Sequence, residues 1–281
     1  MTVILAIVAG LALGGVMQEA DTPPSVVGMT ACPDLPPEPE SVRTFNAAFI
    51  RPGPVDMPAM IALTQQADFV AFGEAKAARE ARDWPGLCVY RAENATLAAS
   101  GHRPDIVFLG DSITENWARA DPAFLDGRSI AGRGIGGQTS AQMLARFRAD
   151  VIALHPRKVH IMAGTNDVAG NGGPTSPEAY EDNIRSMVDL ARANGIEPVL
   201  ASLPPADRFF WRPDVHPAER IVALNAWLRR FAAENGLRFI DYHSALRNDE
   251  DGMRAEYAID GVHPNTDAYA IMRSLAEAGL R

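Results

Sequence analysis

Ser112 lies in the run Gly110-Asp111-Ser112-Ile113-Thr114, directly after the apolar stretch Ile106-Val107-Phe108-Leu109. A serine hydroxyl at such a strand-to-helix turn is a weak nucleophile by itself. It needs a base to take its proton, a group to orient that base, and donors for the oxyanion that forms when a carbonyl is attacked. Candidates for all of these occur elsewhere in the chain. The segment from Ala258 to Pro264 sets Asp260 and His263 three residues apart in a tight turn containing Gly261, so both side chains can face one point. Asp260 could then hold one ring nitrogen of His263 and leave the other to deprotonate Ser112. The glycine-rich run from Gly132 to Gly137 allows backbone N–H groups to approach a substrate oxygen closely, and Gly164-Thr165-Asn166-Asp167 supplies the Asn166 amide as a neutral donor. An isolated Asp/His pair is more often structural. The full set points to acyl transfer from an oxygen ester.

The elements that must position these groups are legible as alternating periodicities. Apolar runs predict strands at residues 106–109, 129–131, 159–163, 198–203 and 238–242. Helical spacing covers residues 139–154, 177–194, 216–235 and 267–278, and the pairs Asn194-Gly195 and Asn235-Gly236 act as stops. Met143, Leu144 and Phe147 share one helical face and read as core. This alternation predicts a three-layer α/β/α fold with a central parallel sheet of about five strands, whose ligands sit at the carboxyl ends of the strands. Residues 54–82 read as one or two further helices packed before the sheet.

The blocks Gly110-Asp111-Ser112-Ile113, Gly137, Gly164-Thr165-Asn166-Asp167 and Asp260-Gly261-Val262-His263 resemble, in order and spacing, those of the SGNH hydrolases, the superfamily of GDSL-type esterases and lipases. The resemblance spans about residues 105–273. It implies a flavodoxin-like sheet, Ser112 as nucleophile, His263 as base and Asp260 as its orienter. It also implies an oxyanion hole formed by the Ser112 and Gly137 N–H groups and the Asn166 side chain. Ile113 stands where the family name has leucine, a similar apolar residue. The flanks of Ser112 lack the Gly-x-Ser-x-Gly pattern of an α/β-hydrolase elbow. Activity is expected to fall as pH drops through the His263 titration, roughly pH 6 to 7.

The resemblance implies a carboxylic ester hydrolase and leaves the ester open among polysaccharide deacetylases, lysophospholipases and thioesterases. Trp117, Phe209, Phe210, Trp211 and His216 are candidates for a substrate wall, which together with export and an acidic surface favours a small acyl group on a carbohydrate. A catalytically inert carbohydrate binder on the same fold is the alternative from another class. Asp111 and Asp167 read as caps or loop braces.

The 281 residues, 47% hydrophobic and 22% charged, suffice for a full core, and a formal charge of -9 with dispersed Lys and Arg argues against nucleic acid as a partner. No metal is expected, because the His residues lack ligand spacing. Gly132-x-Gly134-x-x-Gly137 matches a dinucleotide fingerprint, but it follows the second strand and no acidic residue ends the next, so no cofactor is expected either. Residues 3–17 form an apolar run of signal-peptide length, which suggests a periplasmic or secreted protein without stable membrane association after processing. The expected organisation is residues 1–20 as a hydrophobic export segment, 21–53 as a Pro-rich linker, 54–100 as a helical extension and 101–281 as the hydrolase domain. Cys32 and Cys88 could pair in an oxidising compartment or remain thiols.

Overall fold

Four helices precede the first strand: α1 (Glu40–Ile50), α2 (Met57–Thr64), α3 (Ala67–Arg82) and α4 (Arg91–Ser100). This computed structural model describes residues 31–53, 55–126 and 129–281, so the expected export segment and the first ten residues of the linker lie outside the described residues. Residues Pro33–Arg281 make one compact unit. The linker expectation over residues 21–53 is corrected at its end, because α1 occupies Glu40–Ile50. No proline follows Pro39 until Pro52, and Val42, Phe45 and Phe49 recur at helical spacing, so nothing in that stretch resists a helix.

The remaining elements alternate. Strand β1 (Ile106–Gly110) leads into α5 (Ser112–Ala120) and α6 (Pro122–Asp126), and β2 (Ile130–Gly134) into α7 (Ser140–Asp150). A short 3-10 turn, β3 (Lys158–Met162), α8 (Thr165–Ala169) and α9 (Pro177–Ala193) follow. The chain closes with β4 (Glu197–Ala201), α10 (Ala218–Glu234), β5 (Arg238–Ile240), α11 (Tyr242–Leu246) and α12 (Thr266–Gly279). The five strands are all parallel in the order β2-β1-β3-β4-β5. The predicted strands and long helices therefore sit within a few residues of the observed ones.

Helices cover both faces, giving three layers. Val107, Leu109, Val159, Ile161 and Leu200 point into one core, shared with Met143 and Phe147 of α7, Ile184 and Met187 of α9, and Leu228 of α10. Ile106, Phe108, Met162 and Val199 point into the other, against Ile113 and Trp117 of α5, Tyr242 of α11, and Tyr269 and Met272 of α12. Strands apolar on both faces are what a helix-covered parallel sheet requires. The helix expected over residues 139–154 divides after Asp150, and the turn that follows ends at His155 with φ 50°.

Among the described residues no helix is long and apolar enough to cross a membrane. Neither Cys32 nor Cys88 is a free thiol.

Candidate active site

Ser112, Gly137 and Asn166 follow the carboxyl ends of β1, β2 and β3, and Asp260 and His263 lie in the loop between α11 and α12. Ser112 opens α5 directly beyond β1, and Asp111 caps that helix by accepting the Ile113 N–H at 3.0 Å. Tyr269 of α12 donates to the Ile113 carbonyl at 2.7 Å, which ties the serine helix to the helix that follows His263. Gly134, at the end of β2, lies so close to α5 that a Cβ there would stand 2.1 Å from the Glu115 nitrogen. Only glycine allows that approach.

The Ser112 Oγ lies 2.9 Å from His263 Nε2, and His263 Nδ1 lies 2.6 Å from Asp260 Oδ2. The other Asp260 oxygen accepts the Val262 and His263 N–H groups at 2.9 and 2.8 Å, so both carboxylate oxygens are committed. Burial pushes the His263 imidazolium down, but the Asp260 hydrogen bond and charge, with Asp111 and Glu115 nearby, leave its pKa above 6.5. Burial likewise opposes ionisation of Asp260, yet bonding to His263 and its backbone holds the carboxyl below its usual range. Such a pair keeps the histidine oriented and able to store a proton while the serine attacks.

The donor side is less direct. Gly137 adopts φ 81°, and a Cβ there would meet nothing within 4 Å. Its neighbour Gly136 is closer to the serine, where a Cβ would lie 3.7 Å from that of Ser112, but the Gly136 N–H already donates to Glu115 at 2.8 Å. The buried Asn166 amide donates to Asp111 Oδ2 at 3.2 Å and to the Gln138 carbonyl at 3.1 Å. Asp111 is itself unusual, because burial pushes its carboxyl pKa up to about 6. Asp167 braces the start of α7, accepting from the Ser140 N–H and Oγ at 2.9 and 2.6 Å.

Beneath these loops lies a buried Arg146 that the sequence reading passed over. Its guanidinium donates to the Gly110 carbonyl at 3.0 Å, to Gln138 Oε1 at 2.6 Å and to Asp150 at 3.0 Å. It thus joins the strand end that carries Ser112 to the loop that carries Gly137. Gln138 in turn donates to the Pro85 carbonyl at 2.9 Å, linking that loop to the segment between α3 and α4. The sequence signal, an arginine amid the apolar spacing of α7, is indistinguishable there from an ordinary surface charge.

Ser112, Asp260 and His263 line a cavity of about 690 Å³ together with Phe45 and Phe49 of α1, Phe69 and Phe72 of α3, and Phe210 and Trp211. Trp211 is 42% exposed, and its ring centroid lies 6.4 Å from that of His263. The wall expectation is corrected elsewhere. Trp117 is fully buried among Phe108, Phe124, Tyr242 and Tyr269, because its position on α5 points it into the sheet rather than out of the site. Phe209 is buried and stacks under Trp211 at 4.9 Å. His216 is exposed and takes no part in the walls of the Ser112 cavity, since the chain has turned toward α10 by that point.

A model of the GDSL-like lipase/acylhydrolase family matches residues 108–271. A GDSL-like lipase from Bacteroides thetaiotaomicron VPI-5482, of known crystal structure, is 41% identical with a TM-score of 0.66, covering 69% of this chain and 96% of that one. A candidate acylhydrolase from Bacteroides fragilis NCTC 9343 is also 41% identical at a TM-score of 0.66, covering 69% of this chain and 95% of that one. The lipoprotein YqeF of Bacillus subtilis strain 168 is 33% identical over 118 residues, 36% of this chain and 49% of that protein. The chain therefore matches about half the length of that relative.

Proposed function

The chain belongs to the GDSL-like lipase/acylhydrolase family, and from that premise we propose that it is a serine esterase that cleaves carboxylic esters through an acyl-enzyme on Ser112. The observation that carries this reading is the unbroken relay from Ser112 Oγ to His263 Nε2 at 2.9 Å and from His263 Nδ1 to Asp260 at 2.6 Å. In the first half-reaction Ser112 Oγ attacks the ester carbonyl carbon while its proton passes to His263 Nε2. The oxyanion faces the N–H groups of Ser112 and Gly137, with Asn166 turning one N–H from Asp111 to meet it. Collapse of the intermediate expels the alcohol, which takes the proton from His263. Water then repeats the sequence on the acyl-enzyme and releases the acid.

An inert binder on the same fold has no need of so complete a hydrogen-bonded relay. Labelling with a fluorophosphonate separates the two. The wild type is expected to be labelled and Ser112→Ala to remain unlabelled, whereas equal labelling of both, or of neither, defeats the reading. The lipoprotein name of the Bacillus subtilis relative accords with an exported protein, as does a proposed bridge between Cys32 and Cys88. Intact mass after alkylation, with and without reductant, tests that bridge: two added alkyl groups only after reduction support it.

A further inference from the structure

Helix α3 runs for sixteen residues without burying one of them. A helix of this length in water draws most of its stability from packing an apolar face. Phe69 and Phe72 of α3 instead face the Ser112 cavity, where Phe45 and Phe49 of α1 complete the wall. Three of the rings are in contact: Phe45 meets Phe49 at 4.9 Å and Phe69 edge-on at 5.2 Å. All four side chains are only partly buried. The nearby cations have anionic neighbours, Arg119 with Glu38 at 3.1 Å and Lys76 with Glu80 at 3.7 Å, so neither stands alone to select an anionic substrate.

A half-exposed phenylalanine wall that ends at a serine and a histidine is completed by an apolar chain on one side of the reacting ester. An acetyl group would leave most of that wall in water. The wall is also contributed by residues before the family match begins at residue 108. We infer that α1 and α3 form a specificity pocket, in which Phe45, Phe49, Phe69 and Phe72 select esters bearing an extended apolar chain. This rests on Ser112 being the ester-cleaving group. The chain could be carried on the acyl or the alcohol side of the ester, and the experiment has an arm for each.

With the full-length protein, kcat/KM is measured for p-nitrophenyl esters from acetate to octanoate and for alkyl acetates from ethyl to octyl. One series is expected to rise roughly fourfold per methylene until the pocket fills, the factor equivalent to about 0.8 kcal/mol per buried methylene. The Phe69→Ala/Phe72→Ala double variant should cut the long-to-short ratio in that series at least tenfold. Because α3 buries no residue, the sheet should survive this change, and a separate Phe72→Glu variant should cut the same ratio. Flat or falling series on both sides, or ratios unmoved in both variants, overturn the pocket. Titration calorimetry of Ser112→Ala with hexanoate and decanoate reads the pocket without turnover. Tighter decanoate binding with no wild-type hydrolysis would defeat the esterase reading and keep the pocket, whereas hydrolysis with no length dependence in turnover or binding would do the reverse.

Discussion

The carboxyl edge of the sheet and the helices α1 and α3 frame the same cavity but are built in different ways. At the sheet edge every reactive side chain has bonded neighbours: Asp260 commits both oxygens, Asp111 caps α5, and Arg146 spans the Gly110 carbonyl and Gln138. Its surroundings are core, with Trp117, Phe147 and Tyr269 fully buried. On the facing side α1 buries only Ser41, Val42 and Ile50, and α3 buries nothing. Chemistry that fails when atoms shift by an ångström requires the first kind of construction. Selection among apolar chains tolerates the second, since burial of area is non-directional. The proposed reaction and the proposed choice of substrate thus fall to separate parts of one chain.

The largest expected effects fall on the sheet edge. Ser112→Ala should lower kcat by about 10⁴-fold or more, and Asp260→Asn, which spares the geometry but fixes the wrong histidine tautomer, by about 10⁴-fold at most. Steady-state kinetics with a matched melting curve checks both, and a fall of less than tenfold in either would merge the two regions in tolerance. Arg146→Met leaves Asp150 as an uncompensated buried charge and should cost about 3–5 kcal/mol in urea unfolding. Restoring stability with Asp150→Leu should not restore kcat if Arg146 positions the serine and glycine loops.

Packing sharpens the contrast further. Phe147→Ala, in the core, should cost about 3–5 kcal/mol, while Phe69→Ala on α3 should cost under about 1 kcal/mol, both read from urea midpoints. Equal losses would mean that α3 belongs to the core. The smallest effect is in pH. His263 acts as base only when neutral, and its pKa lies above 6.5, so kcat/KM should fall tenfold per unit on the acid side of a limb centred above 6.5. A limb at or below 6.5 would remove Asp260 as the dominant partner of His263.

Much of the sheet edge could be read from sequence because its signals are local. A strand followed by Gly110-Asp111-Ser112, or an Asp and a His three residues apart, declares itself within a few positions, and the alternation of periods set the parallel sheet around them. Contacts between distant segments are silent in that reading. Arg146 meets Gln138 and Gly110 only once α7 docks, and the four phenylalanines of α1 and α3 become a wall only in space. The preference for a small acyl group on a sugar leaned on Trp211, which does stand beside His263. It could not weigh the phenylalanine wall opposite, which redirects the proposal toward an apolar chain. Trp117 departs from the expected wall for a related reason. Proximity in sequence to Ser112 says nothing of which side of α5 a residue takes, and five positions on it points into the core.

Convergence of the Ser112, Gly137, Asn166 and His263 segments on a single carbonyl is tested most directly by a crystal structure of the wild-type protein after reaction with a small alkyl fluorophosphonate. The phosphorus should be bonded to Ser112 Oγ, with one phosphonyl oxygen about 2.7–3.1 Å from the N–H groups of Ser112 and Gly137 and from the Asn166 amide, now swung away from Asp111. An adduct on any other residue, or a phosphonyl oxygen turned to solvent with Asn166 still held by Asp111, would contradict it.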